Sequence, residues 1–186
     1  MKIAIFASGS GSNFQALVDD AAIKESVALL VCDKPGAFVL ERAEAAGIPV
    51  FVFAPKAFAD KAAFEREIVA KLQKSGVEFL VLAGYMRLIG PTLLEAYENK
   101  IVNLHPSLLP AFPGKDAIGQ AATAGVVETG VTAHFVDAGM DTGPIIAQQS
   151  VAILPEDTID SLTTRIHKVE HAFYPEVVKK IIGGQS

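Results

Sequence analysis

The chain predicts an α/β fold: a mostly parallel sheet flanked by helices, with antiparallel strands toward the C-terminus. Short apolar, β-branched runs alternate with longer segments of helical periodicity, the pattern of parallel strands joined by crossover helices. The first run leads straight into a glycine-rich turn, Gly9-Ser10-Gly11-Ser12-Asn13, and then into a helical segment at 14–18. Near the C-terminus two apolar runs are separated only by residues 137–143. That loop is too short for a parallel crossover, so it demands an antiparallel pair or a change of direction.

Taken in order, strands are expected at residues 2–7, 27–32, 50–53, 78–83, 101–105, 131–136 and 144–151. Phe64, Ile68 and Leu72 recur at helical spacing, as do Ile159, Leu162, Ile166, Val169 and Phe173, each set marking a helix with one buried stripe. Pro175 is expected to kink or restart the last helix. The arrangement is Rossmann-like.

A chain of 186 residues suits one buried core, so residues 1–186 are expected to form a single domain. The composition, 51% hydrophobic and 20% charged, argues against intrinsic disorder. With a net charge of -5 and no run of Lys or Arg, nucleic acid is not expected as a partner. The single cysteine, Cys32, lies in an apolar run and reads as a buried thiol in a reducing compartment. No apolar stretch reaches membrane-spanning length and the N-terminus lacks a signal-peptide core, so no membrane partner and a cytoplasmic location are expected.

The glycine turn lets backbone N–H groups converge at a helix N-terminus, which suits a phosphate. A plainer reading is a tight turn in which Ser12 or Asn13 caps the helix. A dinucleotide site is the sharper rival, because Asp33 ends the second strand about 20 residues on, where a ribose-binding carboxylate would sit. Phe14, however, occupies the position of the third glycine of that fingerprint, so a monophosphate suits the turn better.

The fifth strand ends in Asn103-Leu104-His105-Pro106-Ser107, and strand alternation puts Asn103 and His105 on one face. At the carboxyl end of a parallel strand both would point where open α/β sheets bind ligands. An amide donor beside an imidazole can stabilise an oxyanion and move a proton. The turn Asp137-Ala138-Gly139-Met140-Asp141-Thr142-Gly143 carries two carboxylates, of which at least one is a turn former. A carboxylate beside His105 would favour the imidazolium, the form needed for a general acid. His105, His134, His167 and His171 join no familiar ligand pattern, so no metal is expected.

Taken together, the turn at Gly9 to Asn13, the stretch Ala83-Gly84-Tyr85-Met86-Arg87, the stretch Asn103 to Ser107 and the loop Met140-Asp141-Thr142-Gly143-Pro144 resemble the phosphoribosylglycinamide formyltransferase family. The resemblance runs in order along nearly the whole chain. It implies that Asn103, His105 and Asp141 are the catalytic trio. It also implies that Gly11, Ser12, Asn13 and Glu170 contact the ribonucleotide, and that Met86, Arg87, Leu88 and Ile89 line a folate pocket. Asn103, Asp137, Ala138, Gly139, Met140 and Asp141 complete that pocket. Lys61 stands near the place of a folate-contacting Arg ahead of the third helix, keeping the charge without the planar fork. The segment 113–120 keeps a glycine turn but lacks the histidine that some relatives carry after it.

The resemblance further implies transfer of a formyl group from 10-formyltetrahydrofolate, a co-substrate, to the amine of glycinamide ribonucleotide, with both small molecules handled by a monomer or homodimer. Rival readings are a formyltetrahydrofolate hydrolase or a methionyl-tRNA formyltransferase on the same scaffold, and a nucleotide-binding sensor without turnover. The phosphate-type turn and the expected lack of a regulatory or RNA-binding domain favour the ribonucleotide.

Overall fold

The computed structural model describes residues 1–184, in which seven strands form one sheet of order β3-β2-β1-β4-β5-β6-β7. The strands are β1 (Ile3–Ala7), β2 (Val27–Cys32), β3 (Val50–Val52), β4 (Phe79–Leu82), β5 (Ile101–His105), β6 (Glu128–Phe135) and β7 (Ile145–Ala152). The first five are parallel to one another, and β6 runs antiparallel to both β5 and β7. The fold is therefore the expected one. The sixth strand begins three residues earlier than its apolar pattern suggests, because Glu128, Thr129 and Gly130 pair in register with Ala152, Val151 and Ser150. Ladder hydrogen bonds extend it where side-chain alternation gives no signal.

Helices α1 (Ser12–Val18), α2 (Ala21–Ser26), α3 (Val39–Ala46) and α7 (Ile159–Ile182) cover one face, and α4 (Lys61–Lys74) with α5 (Pro91–Ala96) covers the other. Alternation along β1 divides the core. Ile3, Ile5 and Ala7 pack with Phe14, Leu17, Val39, Tyr174 and Val178, whereas Ala4 and Phe6 pack with Phe64, Ile68, Leu72 and Leu93. All five β1 residues are buried, as a central strand covered on both sides requires. α6 (Ala117–Ala124) sits near the β6–β7 end, where a smaller cluster of Val131, Val151, Leu162 and Ile166 forms.

Side chains punctuate these helices. The Asp20 carboxylate accepts from the Ala22 and Ile23 N–H groups, and Asp60 accepts from Ala63 N–H. α7 does not restart at Pro175 but continues as one helix through it. The proline forfeits one backbone bond, but it is buried between Tyr174 and Val177, and the Tyr174 hydroxyl donates to the carbonyls of Leu82 (2.7 Å) and Val102 (3.3 Å). Among the described residues no helix is long and apolar enough to cross a membrane.

The start of α7 carries a pH-sensitive clasp. Arg165 donates to Asp157 through both terminal nitrogens (2.8 and 2.7 Å), and Leu154 N–H and the Ser161 hydroxyl add further bonds. The Arg165 guanidinium, followed by the Leu154 N–H, holds the Asp157 carboxyl far below its ordinary value of 3.8. A depressed folded value means that the contribution is complete above the unfolded value and is lost as pH falls below it. Thermal unfolding of Asp157→Asn should therefore show a lowered Tm at neutral pH, and a shallower fall in Tm as pH drops from about 4 to about 2 than the parent shows. Parallel curves would assign the acid sensitivity to other carboxylates.

Candidate active site

The chain leaves β1 for β2 and β3 on one side, then crosses to β4 and β5 on the other, so a crevice opens at the carboxyl ends of β1 and β4. Its floor is stitched by Ser8, whose N–H donates to the Gly84 carbonyl (3.0 Å) and whose hydroxyl accepts from Met86 N–H (2.9 Å). The glycine turn and the segment from Gly84 to Ile89 thus form its two walls.

Gly11 is the N-cap of α1, at φ 77° and ψ 24°, a left-handed conformation that glycine adopts without strain. Neither Ser12 nor Asn13 caps the helix through its side chain, which corrects the plainer reading of the turn. Ser12 is the first helical residue, and Asn13 donates through Nδ2 to Glu170 Oε2 at 2.8 Å, tying the turn to α7. Glu170 is 7% exposed, and Asn13 Oδ1 is buried with no hydrogen-bond partner among the described residues. The turn is also gripped by α3. Val39 N–H donates to the Gly9 carbonyl (3.1 Å), and Arg42 Nε donates to the Ser10 carbonyl (2.7 Å).

On the opposite wall Met86 is 79% exposed and Leu88 is also exposed, two apolar side chains with no core to join. Ile89 differs: its side chain is buried among the residues covered by α4 and α5. Arg87 donates to Asp33 Oδ2 at 2.7 Å and lies over the Phe64 ring at 5.8 Å. That ion pair engages one oxygen, Oδ2, of the carboxylate that a dinucleotide site would need for its ribose, and Oδ1 is buried without a partner among the described residues. Lys61 is the first residue of α4, the fourth helix rather than a position ahead of the third, and its Nζ donates to the Leu88 carbonyl at 2.8 Å.

Between the walls, at the end of β5, the structure brings the three residues of the implied trio together. Asn103 pairs in register with His134 of β6, and its Nδ2 lies 3.4 Å from His134 Nε2. His105 is 5% exposed, with Nε2 2.9 Å from the Phe112 carbonyl and Nδ1 3.6 Å from Asp141 Oδ2. The other carboxylate oxygen, Asp141 Oδ1, lies 3.8 Å from His134 Nε2. Asp141 adopts φ 57°, and its Oδ2 accepts from Gly114 N–H at 2.8 Å. The cluster is thus an amide, two imidazoles and one carboxylate, with the carboxylate set between the two rings.

The two acidic residues of the loop separate cleanly. Asp137 turns its carboxylate into its own loop, accepting from the Thr142 hydroxyl (2.7 Å) and Gly139 N–H (3.0 Å). The Thr142 hydroxyl, more than any other neighbour, holds its carboxyl below the usual range. Asp137 is the turn former, while Ala138, Gly139 and Met140 form an exposed tip beside the trio.

Two participants escape the sequence reading. His134 falls inside an expected strand and is set aside there as a non-metal residue. Its signal was the antiparallel turn-back, since a strand returning beside β5 must place some residue opposite Asn103. The backbone of segment 113–120 also enters, through Gly114 N–H on Asp141, and no side-chain pattern announces a main-chain donor.

An open α/β sheet whose switch-point crevice holds donors beside an imidazole–carboxylate pair has the groups that an enzyme of oxyanion stabilisation and proton transfer requires. Residues 1–178 match the family described as formyl transferase, and the chain belongs to that family. It is 58% identical over 187 residues to the phosphoribosylglycinamide formyltransferase of Bacillus subtilis (strain 168), covering 98% of this chain and 95% of that protein. Among solved structures, glycinamide ribonucleotide transformylase 1 from Geobacillus kaustophilus is 61% identical with a TM-score of 0.92, over 97% of each chain. The phosphoribosylglycinamide formyltransferase from Bacillus halodurans is 55% identical with a TM-score of 0.93, over 98% of this chain and 95% of that one.

Proposed function

We infer that this chain transfers the formyl group of 10-formyltetrahydrofolate to the amine of 5′-phosphoribosylglycinamide, a step of de novo purine synthesis. The observation that carries the reading is the convergence of Asn103, His105 and Asp141 between two walls of different chemistry. One is a glycine turn suited to a phosphate. The other is an exposed apolar strip at Met86 and Leu88, joined by Met140 from the loop tip, suited to a flat heterocycle.

On this reading Gly11, Ser12 and Asn13 hold the ribonucleotide phosphate, and Glu170 orients Asn13 and meets the substrate. Met86, Arg87, Leu88 and the Ile89 backbone line the folate pocket with Ala138, Gly139 and Met140. Asp137 serves by shaping that loop, and Lys61 by holding the Leu88 carbonyl. The amine attacks the formyl carbon, and the negative charge that builds on the formyl oxygen is met by Asn103 and protonated His105. Collapse of the tetrahedral intermediate breaks the bond to N10, which leaves with a proton, while the former amine surrenders one. His105 and Asp141 move these protons. No step uses a metal or a covalent enzyme intermediate. Residues 1–186 act as one formyltransferase domain, a monomer or homodimer, in the cytoplasm where both charged substrates are retained.

The reading is tested by supplying 10-formyltetrahydrofolate with either the ribonucleotide or its riboside lacking the 5′-phosphate. Turnover should saturate at far lower ribonucleotide than riboside concentration. Equal use of the two amines would remove the phosphate turn from substrate recognition.

The same turn yields a sharper expectation. A Cβ on Gly11 would stand 2.5 Å from Val39 Cγ2, and φ 77° disfavours a side chain there. Gly11→Val should lower the Tm, because Val39 must give way, and should raise the KM for the ribonucleotide at least about tenfold with a much smaller change in the folate KM, because only the phosphate needs that backbone approach. Matched losses in both constants would point instead to a general displacement of α3.

A further inference from the structure

A polar scaffold centred on buried Ser107 and Thr132 lies behind His105. The Thr132 hydroxyl, on the β6 residue paired with His105, donates to the Ser107 carbonyl (2.6 Å) and accepts from Leu109 N–H (3.1 Å). Gln148 of β7 donates through Nε2 to both Thr132 Oγ1 and the Leu109 carbonyl, each at 2.9 Å. The Ser107 hydroxyl then donates to the carbonyls of Ala111 (2.6 Å) and Phe112 (3.3 Å). Ser107 and Thr132 are fully buried. The chain between residues 107 and 112 is thereby pinned at its start, middle and end, and Phe112 sits in the left-handed region at φ 51°. The product of this arrangement is one carbonyl oxygen held 2.9 Å from His105 Nε2.

We infer that this scaffold dictates the tautomer of His105: Phe112 O keeps a proton on Nε2, so Nδ1, which faces Asp141, is the only ring nitrogen that exchanges protons during turnover. A carbonyl oxygen can only accept, so Nε2 must donate in every protonation state that keeps the bond. The neutral ring then presents a lone pair at Nδ1, and the protonated ring presents an N–H there, 3.6 Å from the carboxylate. Ser107, Thr132 and Gln148 are positioning residues, acting on the chemistry only through Phe112. The kinetic consequence rests on the formyl-transfer reading, whereas the tautomer does not.

The test pairs long-range 1H–15N correlation spectra of histidine-labelled enzyme at alkaline pH with steady-state kinetics, using a His105→Gln variant to assign the resonances. In the parent protein His105 should be the Nε2–H tautomer. In Thr132→Val and in Ser107→Ala the two tautomers should mix, kcat should fall by about tenfold and both KM values should stay put. Thr132→Ser keeps the hydroxyl and should restore the single tautomer and the rate. Should Thr132→Val fail to fold, Gln148→Ala on the exposed edge strand gives the same two readouts with a smaller effect. A parent His105 protonated at Nδ1 overturns the inference, and so does a folded Ser107→Ala enzyme with unchanged tautomer and unchanged kcat. A parent enzyme with the Nε2–H tautomer but no formyl transfer would sink the functional reading alone.

Discussion

Alanine at His105 is expected to lower turnover by about 10³-fold, and alanine at Asn103 by about 10²-fold, with folate affinity little changed in either variant. Both side chains project from the end of β5 into one cluster, and donors aimed at a developing oxyanion matter most when its charge appears. If the two act on one oxygen, as the proposed mechanism has it, the double variant should be hardly slower than His105→Ala alone. Stopped-flow measurement of folate deformylation in the four proteins decides the matter. Losses that simply multiply would mean that the residues work independently. A collapse of folate affinity would make them pocket lining and put the chemistry elsewhere.

The second large effect is expected at Asp141, where Asn should cut kcat by about 10²-fold or more while binding of both substrates survives. The substitution is well matched to the site. Asn tolerates the left-handed backbone found at φ 57°, and its carbonyl oxygen can still accept from Gly114 N–H. What it loses is the charge facing His105 Nδ1 and His134 Nε2. Loop structure and proton transfer are thus separated in one variant. Near-normal kcat in a folded Asp141→Asn protein would take Asp141 out of the mechanism.

The parts of this molecule that were legible in its sequence are those set by local patterns. Val27–Cys32 and Ile101–His105 show as apolar runs and are strands with those bounds, and Phe64, Ile68 and Leu72 lie buried on one stripe of α4. The shared face of Asn103 and His105 follows from strand alternation alone, and the short loop before β7 announces its antiparallel pairing.

What stayed hidden depends on groups distant in the chain. No spacing rule predicts that Asp33 meets Arg87, or that Phe112 supplies an oxygen to His105. The choice between Asp137 and Asp141 is likewise tertiary. Both sit in one glycine-rich loop, and only the fold shows that the first bonds its own turn while the second reaches β5 and β6. The restart that Pro175 could have imposed on α7 is absent for a related reason: the burial of Tyr174, Pro175 and Val177 outweighs the local propensity.

Passage of a formyl group between two bound small molecules, rather than its release to water, can be followed in a single-turnover reaction in which excess enzyme meets 10-formyltetrahydrofolate labelled in the formyl carbon, with and without 5′-phosphoribosylglycinamide. The label should leave the folate only when the amine substrate is present, and should appear quantitatively as the formamide of the ribonucleotide. Label recovered as free formate at the same rate in both reactions would contradict such a transfer and make the crevice a hydrolase site.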